Sequence, residues 1–371
     1  MTSLQELVRP ELRGQTPYGA PQLDVPVALN TNESSYPVPQ VVVDQIARDV
    51  AGVASSLNRY PDREFARLRE LLSGYLRRTT GAPVTAQQIW AANGSNEVLQ
   101  HIVQAFGGAG RTALGFTPSY SMHPLISERN GTTWIDGLRD ADPAKFDLDG
   151  DLAVEQTRAH DPEVIFLCSP NNPTGTALDL SIVRRVYDAT DRAIVVVDEA
   201  YTEFSRAGTP SALSLLPGRD RLVVSRTMSK AFAFAGARLG YLAAAPEFTQ
   251  LLRLVRLPYH LSTVTQAVAC AALEHTDTML AMVDKIKTTR DDLLAGCAAL
   301  GLQPVPSDAN FVLVGGFDDA AATWQALLDR GVLVRDVGIP HHLRITAGTP
   351  EENDTALRAL RAVLEKELTN E

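Results

Sequence analysis

Short runs of aliphatic and β-branched residues, separated by helical patterns, constrain the fold more than any other feature of this sequence. The runs are Ile89–Ala92, Thr112–Phe116, Val164–Cys168, Ala193–Asp198, Leu222–Ser225 and Gly240–Ala244. Strands without polar alternation are typical of a sheet that is covered on both faces. Alternation with helices such as Asn96–Phe106 and Ser181–Thr190 predicts parallel strands joined by right-handed crossovers. We therefore expect an α/β fold with a mostly parallel sheet between two layers of helices.

The last third of the chain has a different character. A long helical stretch, Thr263–Leu300, precedes short strands and a C-terminal helix from Glu351. The strands are Phe311–Val314, Val332–Val334 and Leu343–Thr346. Residues 1–37 are rich in Pro, Gly, Asn and Thr and predict an extended arm. We predict a large domain over residues 38–255, and a smaller α+β domain formed by residues 256–371 together with the arm.

Charge and cysteine content exclude several functional classes. Lys and Arg number 34 against 44 Asp and Glu, a net charge of −10, so broad electrostatic binding to nucleic acid or anionic membranes is not expected. Cys168, Cys270 and Cys297 form no CxxC pair, which argues against a disulfide framework or a structural zinc site. No apolar run approaches the ~18–20 residues of a membrane span, and residues 1–10 do not resemble a signal peptide. We expect a cytoplasmic protein.

Several familiar ligand motifs are missing or incomplete. No GxGxxG follows a strand and no GxxxxGK[ST] occurs, so neither a dinucleotide site nor a P-loop is predicted. Asp147, Asp149 and Asp151 resemble the start of a calcium loop, but Leu152 occupies the position that requires glycine. We interpret that segment as a solvated turn, and we expect no metal site.

Polar residues at the ends of the predicted strands are the strongest functional signal, because ligands of such sheets bind at the carboxyl ends of the strands. Asp198 ends one strand, and Lys230 follows another within a segment of small and aromatic residues. Gly94-Ser95-Asn96-Glu97 joins a strand to a helix and offers backbone N–H groups to a phosphate. Each feature has an ordinary alternative, namely helix capping by Asp198 or Ser95 and a surface position for Lys230.

Together these residues meet the chemical demands of pyridoxal 5′-phosphate. The cofactor needs a lysine able to form a Schiff base, a carboxylate beside its ring nitrogen and a site for its phosphate. The carboxylate keeps that nitrogen protonated, so that the ring withdraws electrons from a carbanion at the substrate α-carbon. Tyr201 and Asn172 suit the phenolic oxygen as donors, and Tyr120 suits stacking on the ring. The sequence therefore predicts this cofactor.

Several longer motifs occur in order along essentially the whole chain. They are Arg13-Gly-Gln-Thr-Pro-Tyr18, Leu29-Asn-Thr-Asn-Glu33, Asn58-Arg-Tyr-Pro-Asp62, Gly94-Ser-Asn-Glu97, Cys168-Ser-Pro-Asn-Asn-Pro-Thr-Gly175, Val197-Asp-Glu-Ala-Tyr201, Arg226-Thr-Met-Ser-Lys230, Gly236-Ala-Arg238 and Leu343-Arg-Ile-Thr346. Through them the sequence resembles the fold-type I pyridoxal-phosphate-dependent aminotransferases. The Arg-Tyr-Pro-Asp, Leu-Arg-Ile-Thr and Thr-Pro-Tyr contexts point to the narrower histidinol-phosphate aminotransferase family. Ser34-Ser35, after Glu33, departs from the Asn-Pro that is frequent there.

The resemblance implies a role for each cofactor residue. Lys230 would carry the cofactor and move a proton between the substrate Cα and the cofactor C4′. Asp198 would pair with the ring nitrogen, and Asn172 and Tyr201 would donate to the phenolic oxygen. The implied phosphate site comprises Ser95, Asn96, Thr227, Ser229 and Arg238, with Tyr60 reaching in from the partner subunit of a homodimer.

The resemblance also implies how substrates bind. Arg344 corresponds to the arginine that clamps a substrate carboxylate, for which planar guanidinium geometry is suited. Histidinol phosphate has no α-carboxylate, so Arg335 and Arg344 would serve both its phosphate and the carboxylate of glutamate. Tyr18, Asn32 and Asn172 would close this pocket. An ordinary surface ion pair with Asp336 or a neighbouring residue is the alternative for Arg335.

The expected reaction is the reversible conversion of histidinol phosphate and 2-oxoglutarate to imidazole-acetol phosphate and glutamate, in histidine biosynthesis. Phenylalanine or tyrosine transamination on the same fold is the main alternative. A decarboxylase of a phosphorylated amino acid and a non-catalytic cofactor sensor are further alternatives. The sensor is disfavoured because no DNA-binding module is appended and every catalytic position is filled.

Overall fold

The computed structural model describes residues 4–142 and 145–369. The predicted small domain includes residues 1–3 and 370–371, and these lie outside the described residues. The strands are β1 Val27–Ala28, β2 Ile89–Ala92, β3 Thr112–Thr117, β4 Thr133–Leu138, β5 Val164–Cys168, β6 Ile194–Asp198, β7 Leu222–Thr227, β8 Gly240–Ala243, β9 Gln303–Pro304, β10 Phe311–Gly315, β11 Val332–Leu333, β12 Arg335–Asp336 and β13 His342–Thr346.

Helix α1 precedes β1, helix α12 follows β13, and the other helices lie between strands. They are α1 Leu4–Leu7, α2 Gln40–Ala54, α3 Ala66–Thr80, α4 Ser95–Phe106, α5 Met122–Arg129, α6 Gly150–His160, α7 Leu180–Asp188, α8 Pro246–Leu252, α9 Thr263–Glu274, α10 Thr276–Ala299, α11 Ala320–Leu328 and α12 Pro350–Thr369. In the described part of the chain, none is long and apolar enough to span a membrane.

A seven-stranded sheet forms the centre of the molecule, in the order β2-β8-β7-β6-β5-β3-β4. Every residue of β5 and β6 is buried, because helices cover both faces of the sheet. The prediction of an α/β fold with a mostly parallel sheet is confirmed. One strand differs from the expected direction, since β8 runs antiparallel to both β7 and β2. The chain enters β8 directly from the loop after β7, without the helical crossover that a parallel pair requires.

A second sheet, in the order β12-β13-β10-β9, is antiparallel and lies in the C-terminal part of the chain. The predicted helical stretch 263–300 is interrupted at His275, whose backbone leaves the helical region between α9 and α10. Residues of α10 up to Ile286 pack in the apolar core around the large sheet, whereas Leu293 and Cys297 pack in the core around the small one. The proposed domain boundary near residue 255 stays a prediction.

The N-terminal arm pairs with a strand from the C-terminal part of the chain and not with the central seven-stranded sheet. Its short strand β1 pairs in parallel with β11, with Val27 opposite Val332. The arm then passes between the two sheets, and Asn30 and Asn32 are buried there. This path brings residues 18–33 to the carboxyl ends of the central strands.

Candidate active site

Two adjoining cavities lie where β5, β6 and β7 end. The strand-end cavity has a volume of about 250 Å³ and is lined by Glu33, Ser95, Asn96, Tyr120, Cys168, Asn172, Asp198, Ala200, Tyr201, Thr227, Ser229, Lys230, Ala235 and Arg238. The arm-side cavity has a volume of about 420 Å³ and is lined by Tyr18, Ala20, Asn30, Thr31, Asn32, Ser119, Tyr120, Ser121, Asn172, Pro173, Tyr201, Lys230, Arg335, Asp336, Val337 and Arg344. Every predicted site residue except Tyr60 therefore lines one cavity or both.

Lys230 stands between the two cavities. It follows β7, and its Nζ donates to the backbone carbonyl of Thr31 at 2.9 Å. Burial lowers the pKa of this amine to about 8, and the positive charges of Arg344 and Arg238 add to the effect while Glu33 opposes it. A lysine with such a pKa is partly neutral near physiological pH and is then a nucleophile. It does not occupy the ordinary surface position that was the alternative.

Asp198 is held rigidly at the end of β6. Its Oδ1 accepts a hydrogen bond from Ser225 Oγ at 2.9 Å, and its Oδ2 lies 3.1 Å from His123 Nε2. The side chain is buried. The helix-cap alternative is wrong, because the next helical turn begins only at Thr202 and has no side-chain cap. Asp198 instead presents a buried carboxylate at the base of the strand-end cavity.

His123 is a site residue that the sequence analysis missed. Its ring stacks on Phe166 with centroids 4.7 Å apart and contacts Tyr120 edge-on. The side chain is buried and donates to Asp198, which fixes the orientation of that carboxylate. Helix α5, which carries His123, has almost no apolar stripe, so periodicity did not reveal it. The one indication in the sequence was the position of His123, three residues after the predicted cofactor residue Tyr120.

The start of α4 forms an anion site beside these residues. Gly94 is the N-cap with a φ of 85°, a conformation that favours glycine, and no side chain caps the helix. Capping by Ser95 is therefore the wrong alternative. No acceptor within the described ranges meets the backbone N–H of Ser95 or Asn96. These groups and the positive end of the helix dipole are free for a phosphate.

Hydroxyl and guanidinium groups complete this anion site. Thr227 Oγ1 donates to Ser229 Oγ at 3.0 Å, and Arg238 Nη1 lies 3.4 Å from the same oxygen. Arg238 also donates to the carbonyl of Ala235 at 3.0 Å, which holds its charge over the start of α4. A Cβ at Gly240 would collide with the Ser95 backbone, so glycine is required for β8 to pass this close. The arrangement suits a dianion.

Tyrosine and asparagine side chains line the passage between the cavities. Tyr120 donates from its hydroxyl to Asn96 Oδ1 at 3.2 Å. Burial raises the pKa of Tyr201 to about 12, although the nearby Arg344 opposes the shift. Tyr201 therefore keeps its proton at physiological pH and is a hydrogen-bond donor. Asn172 lines both cavities and accepts from Arg344 through its Oδ1.

Two arginines face the arm-side cavity from neighbouring strands. Arg344 donates to Asn172 Oδ1 at 2.6 Å and to the carbonyl of Asn30 at 2.7 Å, while its buried Nε has no partner among the described residues. Arg335 on β12 lies directly opposite Arg344 on β13, so both side chains project from the same face of the sheet. No carboxylate in the described part of the chain lies within 4.0 Å of Arg335, so the ion pair with Asp336 is not formed.

Tyr18 and Tyr60 lie at the margins of the site. Tyr18 accepts from Ser121 Oγ at 3.0 Å, which ties the arm across the mouth of the arm-side cavity. Tyr60 lines neither cavity, is 78% exposed and stacks on Tyr259 with ring centroids 4.3 Å apart. A single chain therefore does not bring Tyr60 to its own phosphate site.

The arrangement fits pyridoxal 5′-phosphate. An anion site, an amine and a buried carboxylate lie around one cavity, in the combination that its phosphate, aldehyde and ring nitrogen require. The free N–H groups at the start of α4 and the buried carboxylate of Asp198 support this fit. Among residues 4–142 and 145–369, no group of three or more His, Cys, Asp or Glu side chains is placed to hold a metal ion.

Comparison with known proteins agrees with this geometry. The family model described as aminotransferase class I and II matches residues 25–360. A histidinol-phosphate aminotransferase of Paenarthrobacter aurescens is 57% identical over 360 residues, which cover 96% of this chain and 95% of the relative. A histidinol-phosphate aminotransferase of Mycolicibacterium smegmatis is 54% identical, with 95% and 92% covered.

A solved structure shares the fold. The histidinol-phosphate aminotransferase of Sinorhizobium meliloti, solved in complex with pyridoxal-5′-phosphate, superposes with a TM-score of 0.84 at 24% identity, and the match covers 96% of this chain and 97% of that one. This likeness confirms the predicted fold-type I architecture. The family match and the close relatives show that this chain belongs to the class I and II aminotransferases and, within them, to the histidinol-phosphate aminotransferase family.

Proposed function

We propose that this chain uses pyridoxal 5′-phosphate to transfer the amino group of histidinol phosphate to 2-oxoglutarate, reversibly. The observation that carries the substrate assignment is the pair of arginines facing the arm-side cavity from opposite positions on β12 and β13. The relatives that are 53–57% identical over nearly the whole chain carry the same activity in their names. This reaction belongs to histidine biosynthesis.

The residues around the strand-end cavity supply what the cofactor needs. Bound there, pyridoxal 5′-phosphate supplies an electron-withdrawing ring that stabilises negative charge at the substrate α-carbon. Asp198, oriented by His123 and Ser225, would hold a proton on the ring nitrogen. The start of α4, together with Thr227, Ser229 and Arg238, would hold the phosphate.

Lys230 would bind the cofactor covalently and then move protons at the reacting carbon. Its position between the cavities lets the same amine serve both the cofactor side and the substrate side. Its lowered pKa lets Nζ accept a proton near neutral pH and return it later in the cycle. Tyr201 and Asn172 would donate to the phenolic oxygen from the passage between the cavities.

The arginine pair accounts for two chemically different amino donors. A phosphate and a carboxylate are both oxyanions that guanidinium groups bind through paired hydrogen bonds. Arg344 is fixed by Asn172 and Asn30, whereas Arg335 is half-buried and has no carboxylate partner in the described part of the chain. Arg335 is therefore free to engage the substrate phosphate, and both arginines can bind the carboxylates of glutamate. Tyr18 would close the cavity over the bound substrate.

We also propose a cytoplasmic homodimer with shared active sites. The stack of Tyr60 on Tyr259 and the hydrogen bond from Arg256 to the Arg63 carbonyl bring together two segments that expose Leu57, Leu254 and Leu257, which are 52%, 81% and 76% exposed. Exposed apolar side chains of this size favour burial against another protein surface. In the dimer, Tyr60 would reach the phosphate site of the partner subunit. The three unpaired, buried cysteines are consistent with a reducing compartment.

The half-reaction of the cofactor-loaded enzyme tests the substrate assignment. The change in cofactor absorbance is followed after mixing with histidinol phosphate, glutamate, phenylalanine or tyrosine, each without an oxo acid. We expect histidinol phosphate and glutamate to react efficiently. If phenylalanine or tyrosine reacts efficiently and histidinol phosphate does not react, the chain is instead an aromatic aminotransferase. Product formation that requires 2-oxoglutarate and releases no carbon dioxide excludes a decarboxylase.

A further inference from the structure

Asn32, which the sequence analysis placed in the substrate pocket, has both polar atoms of its side chain engaged within the protein. Its Nδ2 donates to the hydroxyl oxygen of Tyr201 at 3.0 Å, and its Oδ1 accepts from Thr346 Oγ1 at 3.0 Å. Asn32, Tyr201 and Thr346 are only 1%, 5% and 2% exposed. The Asn32 side chain therefore joins Tyr201 to strand β13.

These hydrogen bonds have a defined direction. The backbone N–H of Asn32 donates to Thr346 Oγ1 at 3.1 Å, and this hydroxyl donates its own proton to Asn32 Oδ1. The oxygen of the Asn32 amide is thereby assigned to the Thr346 side, and its NH2 group to the Tyr201 side. An amide NH2 group only donates, so the Tyr201 oxygen accepts. The proton of Tyr201 then remains available to another acceptor.

The backbone around Asn32 supports this arrangement. Asn32 has a φ of 55°, in the left-handed region that asparagine adopts more readily than most residues. Its carbonyl accepts from Asn310 Nδ2 at 3.0 Å. The Phe311 ring packs edge-on against Tyr201, with centroids 5.1 Å apart. Strands β10 and β13, together with the residue just before β10, therefore hold Asn32 and Tyr201 in place.

Tyr201 faces the strand-end cavity, where the cofactor would lie. The charged or titratable groups around it are Arg344, Lys230, Asp198, Cys168 and Tyr120. Arg344 favours loss of the Tyr201 proton, whereas burial opposes it more strongly and keeps the pKa raised. Tyr201 therefore stays neutral and can donate. Because Asn32 Nδ2 donates to the Tyr201 oxygen, the Tyr201 proton must be directed to a different acceptor.

We propose that Thr346 and Asn32 are positioning residues that hold Tyr201 as a donor toward the phenolic oxygen of pyridoxal 5′-phosphate. This inference rests on the cofactor assignment in the proposed function and extends it to the residues behind Tyr201. A donor at that oxygen favours its deprotonated form. The pH midpoint of the bound cofactor's visible absorbance therefore reports whether the donor is in place.

The first experiment compares N32A and N32D in the native chain and in Y201F. Holoenzymes are titrated with pH in the absence of any amino substrate. We expect N32A to raise the midpoint and N32D to raise it further, by about one unit or more, because the carboxylate introduced by N32D would accept the Tyr201 proton. In Y201F only the added charge acts, so the N32D shift is smaller. Equal N32D shifts in both backgrounds would overturn the proposal.

The second experiment changes the other end of the hydrogen-bond chain. T346S keeps the hydroxyl and should leave the midpoint unchanged, whereas T346V removes it, frees the amide to turn and should raise the midpoint. T79V is the matched control, since the Thr79 hydroxyl donates to a backbone carbonyl within α3, outside both cavities. Identical midpoints for T346S and T346V, or a shift in T79V as large as that in T346V, would contradict the proposed hydrogen-bond chain from Thr346 through Asn32 to Tyr201.

The titration separates this inference from the substrate assignment. If the variants show the predicted shifts but the wild-type enzyme does not react with histidinol phosphate, the hydrogen-bond chain from Thr346 through Asn32 to Tyr201 is supported and only the substrate assignment is overturned. A wild-type protein that retains no pyridoxal 5′-phosphate after the free cofactor is removed overturns both.

Discussion

The strand-end cavity and the arm-side cavity share Tyr120, Asn172, Tyr201 and Lys230, yet they are built in different ways. In the strand-end cavity, the carboxylate of Asp198 is held by Ser225 and His123. In the arm-side cavity, Arg335 has no carboxylate partner and Arg344 has a free Nε within the described structure. The first cavity is organised before anything binds, which suits a permanent cofactor. In the second, Arg335 has no carboxylate partner in the described part of the chain, which suits anionic substrates that enter and leave.

Replacing Lys230 should have the largest effect, because this amine serves both cavities. We expect K230A to lose at least about 10⁴-fold in turnover, since covalent attachment and proton transfer both require the amine. Half-reaction rates and the visible absorbance band measure the loss. K145A is the control, because Lys145 is 63% exposed and lies near Asp140. Near-native turnover in K230A would refute the assignment of both cavities.

Replacing Arg335 should separate the cavities. We expect R335Q to lower kcat/KM for histidinol phosphate by about 10–100-fold, as expected for a lost hydrogen bond to a charged group. The affinity for pyridoxal 5′-phosphate should stay unchanged, because Arg335 does not line the strand-end cavity. R330Q is a matched control, since the Arg330 guanidinium donates to the backbone carbonyl of Ala326 in the last turn of α11. A weaker hold on the cofactor in R335Q would show that the two cavities are not independent.

The pH dependence of cofactor loading tests the charge state of Lys230, which lines both cavities. Only the neutral amine of Lys230 reacts, and its pKa is lowered to about 8. The rate of cofactor uptake by the cofactor-free protein should therefore rise with pH up to about 8 and level off above it. R344Q removes a positive charge, so it should raise the pKa and move the plateau to higher pH. A plateau that moves to lower pH in R344Q would contradict this account.

The smallest effect is expected at the mouth of the arm-side cavity. Y18F removes the hydroxyl that accepts from Ser121 and should lower kcat/KM for histidinol phosphate by about 2–10-fold. The rate of cofactor loading should not change, because Tyr18 lies outside the strand-end cavity. Steady-state kinetics and the uptake rate measure the two quantities. A larger effect on loading than on substrate would show that the arm serves the cofactor instead.

The central strands were predictable because burial on both faces leaves a continuous apolar run. The predicted bounds of Ile89–Ala92 and Val164–Cys168 agree with β2 and β5. Strand β4 was not predicted, since it lies at the edge of the sheet and carries the polar Asp136 between apolar residues. Helix α5 was missed because it lacks an apolar stripe, and His123 was missed with it.

The contribution of Asn32 was also beyond sequence reasoning. The residue stood in a recognisable motif and was placed in the substrate pocket, but its partners Tyr201 and Thr346 are 169 and 314 residues away along the chain. Residue type tells which groups of a side chain can donate or accept, but it does not tell which partners in the folded protein they meet. Only the packing of the arm between two sheets brings these three groups together.

The sequence by itself determined the α/β class, the cofactor chemistry and the side chains at the ends of the strands. It did so because these properties depend on local hydrophobic pattern and on residue type. The tertiary structure alone decided the antiparallel direction of β8, the support of Asp198 by His123 and the pairing of Arg335 with Arg344. Each of these joins segments that are distant in the chain, and such contacts depend on how the whole molecule packs.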